Sequence, residues 1–134
     1  MVITKASAQF LHCMVYQHST DLRFYVTFVY GHSEDGMRKP LWDFIRLTSR
    51  EMTSSWCVSG DFNNVSSPDD RLGGQPVTAN EVNKFKQCIQ DSNLQDIAAY
   101  RTWCNRQKED KRGYSKIDRY LINMEWSVKS GYQN

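Results

Sequence analysis

The segment Arg23–Tyr30 constrains the fold of this chain more than any other. All seven of its residues after Arg23 are β-branched or aromatic. Such side chains pack well on a pleated sheet and lose conformational freedom in a helix. The segment has the length of a strand, and no apolar run in the chain approaches the roughly 20 residues that span a membrane. We therefore predict a strand over residues 23–30 that is buried on both faces.

Two further strands are predicted before the middle of the chain. Residues 10–16 are rich in apolar and aromatic residues over a strand length, and the polar residues 17–21 that follow are typical of a turn. Together with residues 23–30 they predict an antiparallel hairpin. Residues 56–59 predict a short buried strand, which leads into a glycine- and proline-rich loop at residues 60–76.

Two amphipathic helices are expected between these strands. Pro40 suits a first helical turn, and apolar residues recur behind it at three- and four-residue steps, so we predict a helix over residues 40–52. Thr78 and Glu81 form a capping-box pattern ahead of a second helical repeat, which predicts a helix over residues 79–92.

The last third of the chain is predicted to be a hairpin. Residues 101–104 and 114–122 are expected to be its strands, residues 105–113 its charged tip, and residues 125–128 a final strand-like piece. Residues 94–100 are a mixed connector. The order β-β-α-β-α-β-β predicts an α/β (α+β) fold with a mixed sheet and helices packed on it.

Composition excludes some broad classes of protein. A chain of 134 residues makes one domain or part of one. Seventeen basic and 15 acidic residues leave a net charge of +2, too balanced to indicate a nucleic-acid or membrane partner. The first residues lack the pattern of a secretory signal, so we expect an intracellular protein of the nucleus or cytoplasm, without a membrane partner. The four cysteines are then expected to be free thiols.

The motif Gly60-Asp61-Phe62-Asn63 is the first candidate for chemistry. It follows a buried strand, where α/β sheets place ligand-binding groups. If the strand continues, Asp61 and Asn63 project into one cleft and Phe62 points into the core. A carboxylate can then orient or deprotonate water, and an amide can donate to a phosphate oxygen. The alternative is an ordinary surface turn, in which Asp and Asn are common.

Asp118 and Tyr30 are further candidates. Asp118 lies within a strand of apolar and aromatic residues, where a carboxylate is disfavoured and needs a partner. Its alternative role is an ion pair with a neighbouring Arg or Lys. Tyr30 ends the most hydrophobic strand and could present its hydroxyl at the sheet edge; the alternative is a half-buried core tyrosine.

These segments together resemble a known family. Residues 56–65 (Trp-Cys-Val-Ser-Gly-Asp-Phe-Asn-Asn-Val), the Arg71-Leu-Gly-Gly loop, Thr102-Trp-Cys-Asn and residues 115–122 (Ser-Lys-Ile-Asp-Arg-Tyr-Leu-Ile) occur in the order typical of the endonuclease/exonuclease/phosphatase superfamily. This is the deoxyribonuclease I-like group. The sequence is most similar to endonuclease domains of plant LINE-type (non-LTR) retrotransposons, and the resemblance extends over about residues 8–128.

The resemblance implies a four-layer αββα sandwich and metal-dependent phosphodiester cleavage of DNA. Asp61 matches the aspartate that positions or activates the attacking water, and Asn63 matches the asparagine that contacts the phosphate and the metal region. Tyr30 matches a tyrosine that contacts phosphate, and Asp118 matches an aspartate that orients a catalytic histidine. The implied cofactor is Mg²⁺, near Asp61 and Asn63.

The chain also departs from the family pattern. It has no Glu before Glu34, where the family has a metal-binding glutamate, and no Ser-Asp-His element near its end. His12, His18 and His32 lie in other segments and are interpreted as surface or sheet residues. We therefore expect residues 1–134 to be a single partial domain, the middle of a nuclease domain truncated at both ends, and inactive as a fragment.

Two alternatives to an endonuclease origin stay open. One is a non-catalytic nucleic-acid-binding or interaction remnant, with Arg71, Lys111 and Arg112 as the phosphate contacts; an ordinary solvated hairpin explains the same charges. The other is the same fold with phosphoinositide, sphingomyelin or nucleotide substrates. For either, a sandwich that lacks strands at both ends exposes unpaired edges and apolar faces, so self-association is expected.

Overall fold

A computed structural model describes residues 1–63, 79–97 and 118–130 of the chain. Several predictions fall outside these residues: most of the loop at 60–76, the strand at 101–104, the charged tip at 105–113, and residues Arg71, Thr78, Cys104, Lys111 and Arg112. For Asp118 only the backbone is described.

One mixed sheet organises the described residues. Its strands are β1 (Val2–Ala6), β2 (Phe10–Gln17), β3 (Leu22–Tyr30), β4 (Ser55–Asp61), β5 (Gln95–Asp96) and β6 (Asp118–Ile122). They lie in the order β1-β2-β3-β4-β6-β5. Strands β3 and β4 are parallel and the other neighbours are antiparallel. The mixed α/β fold predicted from the sequence is thereby confirmed.

Helices connect and cover the strands. A 3₁₀ helix (Asp35–Arg38) leads into α1 (Lys39–Glu51), which crosses between the parallel strands β3 and β4. The second helix is α2 (Ala79–Asp91) and the third is α3 (Met124–Ser130). Pro40 stands in the first turn of α1, where a missing N–H costs nothing. The two long helices agree with the predicted ranges to within one residue.

The core lies between the sheet and the helices α1 and α2. Trp56 and Val58 of β4 are fully buried there against Leu41 and Ile45 of α1 and Phe85 of α2. These side chains alternate along β4 and repeat at helical spacing on α1, so each element presents one apolar stripe to the same interior. Residues that follow β4 directly are therefore tied to the core.

The opposite face of the sheet is partly open, which corrects one prediction. Strand 23–30 was expected to be buried on both faces, yet Phe28 is 47% exposed and its neighbour on β2, Leu11, is 42% exposed. Trp126 of α3 packs edge-on against Phe24 and covers one corner of this face. Among the described residues, the helices α1 and α2 both pack on the other side.

One predicted strand is a helix, and one strand of the sheet was not predicted. Residues 125–128 form part of helix α3 instead of a strand, because the Asn123 Oδ1 accepts a hydrogen bond from the Trp126 backbone N–H at 3.0 Å and caps the helix. Strand β1 was not expected, because residues 2–6 are all exposed and show no apolar alternation. Of the described cysteines, Cys13, Cys57 and Cys88 are free and buried, as expected.

None of the helices in the described parts of the chain combines the length and apolar character needed to cross a membrane.

Candidate active site

Three of the four predicted site residues occupy one row across the sheet. In the parallel pairing of β3 with β4, Tyr30 is opposite Asp61, and in the antiparallel pairing of β4 with β6, Asp61 is opposite Asp118. The row lies where β3 and β4 end and β6 begins. Neighbouring strands in a sheet are about 4.8 Å apart, so the three Cα positions fall within roughly 10 Å of each other.

The fourth residue, Asn63, reaches the same place by a turn. The sequence-based expectation was a strand continuing through Asp61 and Asn63; β4 instead ends at Asp61, and Asn63 has a left-handed backbone with φ of 51°. Asn tolerates this conformation better than most residues. The Asn63 N–H donates to the Asp61 Oδ1 at 2.7 Å, and the Asn63 Nδ2 donates to the Gly31 carbonyl at 3.3 Å. Asn63 is thus held beside Asp61 by hydrogen bonds of the turn instead of by strand alternation.

Tyr30, Asp61, Asn63 and the backbone of Asp118 form an edge of the sheet that we call the rim. Two glycines permit the close approach of β3 and β4 there. A Cβ on Gly60, where φ is +135°, would lie 2.2 Å from the Val29 carbonyl oxygen. A Cβ on Gly31 would lie 2.3 Å from the Phe62 carbonyl oxygen. The Gly31 N–H donates to the Asp61 carbonyl at 2.7 Å, which prolongs the pairing beyond the strands. Only glycine allows backbones to come this close.

Phe62 anchors the turn in the core, as predicted. Its side chain is fully buried, with its ring 6.3 Å from the Trp42 ring and 5.4 Å from the Phe85 ring. Helices α1 and α2 therefore both contact the residue between Asp61 and Asn63. Asp61 and Asn63 are therefore positioned by the packing of Phe62 in the core and by hydrogen bonds to the backbone of Gly31.

Tyr30 is exposed, in agreement with a hydroxyl presented at the sheet edge and not with the half-buried alternative. Its side chain is 69% exposed, whereas the alternative to a site residue was a half-buried core tyrosine. The loop that follows it is fixed by two residues that sequence reasoning missed. The Gln9 amide accepts from the His32 N–H and donates to the Met37 carbonyl. No sequence pattern marks Gln9, because its partners lie more than 20 residues away.

Arg38 is the second residue that was missed. Its guanidinium is fully buried and donates to the carbonyls of His32 at 2.7 Å and Ser33 at 3.0 Å. It also lies 3.4 Å from the Glu81 carboxylate of α2. A buried charge needs such partners to offset the loss of water. Arg38 therefore joins the loop behind Tyr30 to the helix that packs on Phe62.

The donor set at the rim has the chemistry that Mg²⁺ prefers. Mg²⁺ binds oxygen ligands and commonly takes only one or two carboxylates from a protein, with water and phosphate oxygens completing the shell. Asp61 offers a partly exposed carboxylate, and Asn63, which is also partly exposed, donates its backbone N–H to that carboxylate. No cluster of three or more His, Cys, Asp or Glu side chains occurs within residues 1–63, 79–97 and 118–130. Asp61 and Asn63 thus fit a metal held largely by water and substrate.

The remaining predicted residues separate into two groups. The Asp118 backbone is in the row, and its side chain lies outside the description, as do Arg71, Lys111 and Arg112. Among the histidines, His12 is buried within β2, His18 is exposed, and the His32 ring accepts from the Glu34 N–H. These positions agree with their interpretation as surface or sheet residues.

Comparisons with known proteins show a likeness to solved structures. Neither protein-family profiles nor curated proteins show a match to this chain. Among solved structures, the fold is similar to AP endonuclease LMAP from Leishmania major, with a TM-score of 0.60 and 12% sequence identity. The similarity covers 92% of this chain and 48% of that one, so the chain spans about half the length of the structure it matches. At this identity the likeness shows the fold, which is of the deoxyribonuclease I-like type.

Proposed function

We propose that this chain is part of a metal-dependent phosphodiesterase domain that acts on DNA. The supporting observation is the row Tyr30–Asp61–Asp118, with Asn63 folded back onto Asp61. A hydroxyl, a carboxylate and an amide side by side at an open sheet rim suit a phosphate diester better than a small apolar substrate. The structural neighbour is an AP endonuclease, which supports the same class of reaction.

The described residues divide the work by their chemistry. The Asp61 carboxylate, steadied by the Asn63 N–H, accepts a proton from the attacking water or orients it. The exposed Tyr30 hydroxyl donates to a non-bridging phosphate oxygen, and the Asn63 amide contacts the same group. A Mg²⁺ ion at Asp61 and Asn63 would supply charge neutralisation and a more acidic water.

Finer parts of the proposal rest on the sequence resemblance. We assign the chain to a plant LINE-type retrotransposon origin and to the nucleus or cytoplasm. We expect residues 1–134 to be inactive, because catalytic groups act as a unit and the chain has no Glu before Glu34, where the family has a metal-binding glutamate.

Metal binding and cleavage are tested separately, so that inactivity does not hide the site. Mg²⁺ is titrated into ¹⁵N-labelled protein, and saturable amide shifts are expected at residues 60–63 and at Tyr30. Asp61→Asn abolishes them, whereas Asp43→Asn, a change in an exposed carboxylate of α1, preserves them. Shifts that survive Asp61→Asn, or that are absent throughout the rim, contradict the proposed site.

Supercoiled plasmid with Mg²⁺ tests the reaction. No nicking above that of the Asp61→Ala variant is expected. Nicking that disappears in Asp61→Ala would overturn the proposed inactivity while supporting the reaction class. Salt-sensitive DNA binding that is lost when Lys111 and Arg112 are both replaced by Gln, and is unchanged in Asp61→Asn, would instead favour a non-catalytic binding remnant.

Self-association is proposed through the edge strand β1, whose five residues are all exposed. An edge strand presents unpaired backbone groups that can pair with another copy. Light scattering after gel filtration is expected to give a mass above that of one chain, and Ile3→Lys is expected to lower it. A single-chain mass at 100 μM contradicts this part of the proposal.

A further inference from the structure

A pair of nitrogen donors lies on strands β1 and β2, on the side of the sheet away from β4 and Asp61. Lys5 of β1 and His12 of β2 are direct cross-strand partners. Their pairing depends on a bulge between Ile3 and Lys5, where the register shifts by one residue. Without this bulge Lys5 would pair with Leu11 and lie on the other face. Bulges of this kind turn a side chain toward a site, and here the bulge sets the ammonium beside the imidazole.

The hydrogen bonds of His12 determine which ring nitrogen carries its proton. The Trp56 indole N–H donates to the Thr27 hydroxyl oxygen at 2.9 Å, and that oxygen is 2.7 Å from the His12 Nδ1. Thr27 is fully buried, so its own hydroxyl proton must find an acceptor, and the His12 Nδ1 is the acceptor within reach. His12 is then the neutral Nε2–H tautomer, with a second donor still to be used.

The His12 side chain lines a cavity. A space of about 310 Å³ separates β1–β3 from the last turns of α1 and the segment after it, and His12, only 8% exposed, forms part of its wall. Lys5 and Tyr25 line the sheet side, while Phe44, Leu47 and Met52 supply apolar surface. The Lys5 ammonium is 5.7 Å from the centre of the Phe44 ring. Nothing in residues 1–63, 79–97 or 118–130 accepts a hydrogen bond from the His12 Nε2.

We propose that this cavity binds a small monocarboxylate that carries an apolar ring. The carboxylate accepts from the His12 Nε2–H and pairs with the Lys5 ammonium, and the ring packs against Phe44 and Met52. The volume is at the lower end of those that hold small ligands, so a ligand of about ten non-hydrogen atoms fits. Burial, and next the Lys5 charge, lower the pKa of His12, so the imidazole is neutral at pH 7 and its donor is retained.

Charge in the cavity gives the proposal a second signature. Glu51, near the end of α1, is the one carboxylate among the lining residues of this cavity, and its side chain is exposed. It would repel a bound carboxylate weakly, as partly solvated charges do. Replacement of Lys5 and of Glu51 by Gln should therefore change affinity in opposite directions. A purely apolar pocket would respond to neither change.

The experiment uses phenylacetate as the probe, with the uncharged 2-phenylethanol as its control. Both are titrated into ¹⁵N-labelled protein at pH 7, and the Trp56 indole N–H, which reports on Thr27 and His12, is followed. Phenylacetate is expected to saturate with a Kd of about 1 mM or tighter, and 2-phenylethanol to bind at least about tenfold more weakly. Lys5→Gln should weaken phenylacetate about fivefold and Glu51→Gln strengthen it about twofold.

Lys86→Gln, which changes an exposed lysine on α2, should leave the Kd unchanged. An unaltered Trp56 indole resonance in each free variant shows that the fold is intact. Equal binding of the two probes, no effect of Lys5→Gln, or the absence of a saturable shift would each overturn the proposal. None of these results depends on the proposed nuclease function, because the measurement contains neither DNA nor metal.

Discussion

Two regions of the sheet hold polar groups in different ways: the rim at Tyr30, Asp61 and Asn63, and a buried group of His12, Thr27 and Trp56 on β2, β3 and β4, called the His12 cluster. At the rim, Tyr30 is 69% exposed and Asp61 is partly exposed. The rim is shaped by the backbone, through the positive φ angles of Gly60 and Asn63. In the His12 cluster, the side chains of His12, Thr27 and Trp56 are buried and are joined by hydrogen bonds to one another.

The two proposals above give this difference a reason. If the rim meets a large polyanion such as DNA, its groups must stay exposed, and their position has to come from the chain beneath them. If the cavity beside His12 binds a small ligand, its groups can be buried and positioned by side-chain partners. We then expect stability to depend on the residues next to the candidate site at the rim, and on the candidate site residues themselves in the His12 cluster.

The largest expected effect is at Phe62, the core anchor of the rim. Phe62→Ala removes a fully buried ring between Trp42 and Phe85 and should lower the free energy of unfolding by about 3–5 kcal/mol. Phe28→Ala is the matched control, because Phe28 is 47% exposed on the open face of the same sheet. Denaturant unfolding of both variants checks the prediction. Equal losses would show that the open face is packed in solution.

Next in size is the ion pair behind Tyr30. Arg38→Met leaves the Glu81 carboxylate without a fully buried partner and frees the carbonyls of His32 and Ser33. The expected loss is about 3 kcal/mol. Lys39→Met breaks the exposed Lys39–Asp43 pair of α1, which is worth about 0.5 kcal/mol or less. Unfolding midpoints that fall equally in the two variants would contradict a special role for Arg38.

Much of the rim could be predicted from sequence because its signals are local. Gly60, Asp61 and Phe62 are adjacent in the chain, and a strand next to a glycine–aspartate turn marks a rim without knowledge of the rest. The error concerned Asn63, whose left-handed backbone replaced the expected strand. The role of Arg38 could not be predicted from the sequence. Its partners are loop carbonyl groups and the Glu81 carboxylate of α2, which is more than 40 residues away.

The pairing of Lys5 with His12 could not be predicted, because it depends on the register between β1 and β2. Lys5 faces His12 only as a result of the bulge in β1, a strand that the sequence pattern did not reveal. The exposure of Phe28 was missed for a similar reason: a run of β-branched and aromatic residues does not distinguish a strand buried on both faces from one with a bare face. Likewise the role of Asn123 as a helix cap was missed, because it lies between two segments that were both predicted to be strands, residues 114–122 and 125–128.

A smaller effect is expected from the glycine that lets the two strands of the rim meet. Gly31→Ala would place a Cβ 2.3 Å from the Phe62 carbonyl oxygen, so the backbone must move, at a cost of more than about 1 kcal/mol. Gly36→Ala is the control, since a Cβ there meets nothing within 4 Å, and its effect should be neutral or slightly stabilising. Thermal unfolding resolves the difference, and a Gly31→Ala variant as stable as Gly36→Ala would show that the close approach is not maintained.

The smallest expected effect is a pH dependence of stability that comes from His12. Burial lowers the pKa of His12 below the value of 6.5 expected for an unfolded chain. As the pH falls below 6.5, the unfolded state binds the proton first. The contribution of His12 to stability is therefore complete above pH 6.5 and is lost as the pH falls toward the folded pKa. The urea midpoint should decrease between pH 7.5 and pH 5.0.

A matched pair of histidine variants assigns this dependence. His12→Asn retains an acceptor for the Thr27 hydroxyl and cannot titrate in this range, so its midpoint should change less with pH. His18→Asn, a change in an exposed turn, should behave as the parent chain. The other ionisable side chains that face the same cavity are Lys5, Tyr25 and Glu51, and all three are unchanged in both histidine variants. If His12→Asn keeps the full pH dependence, other groups cause it, and the lowered pKa that burial gives His12 is contradicted.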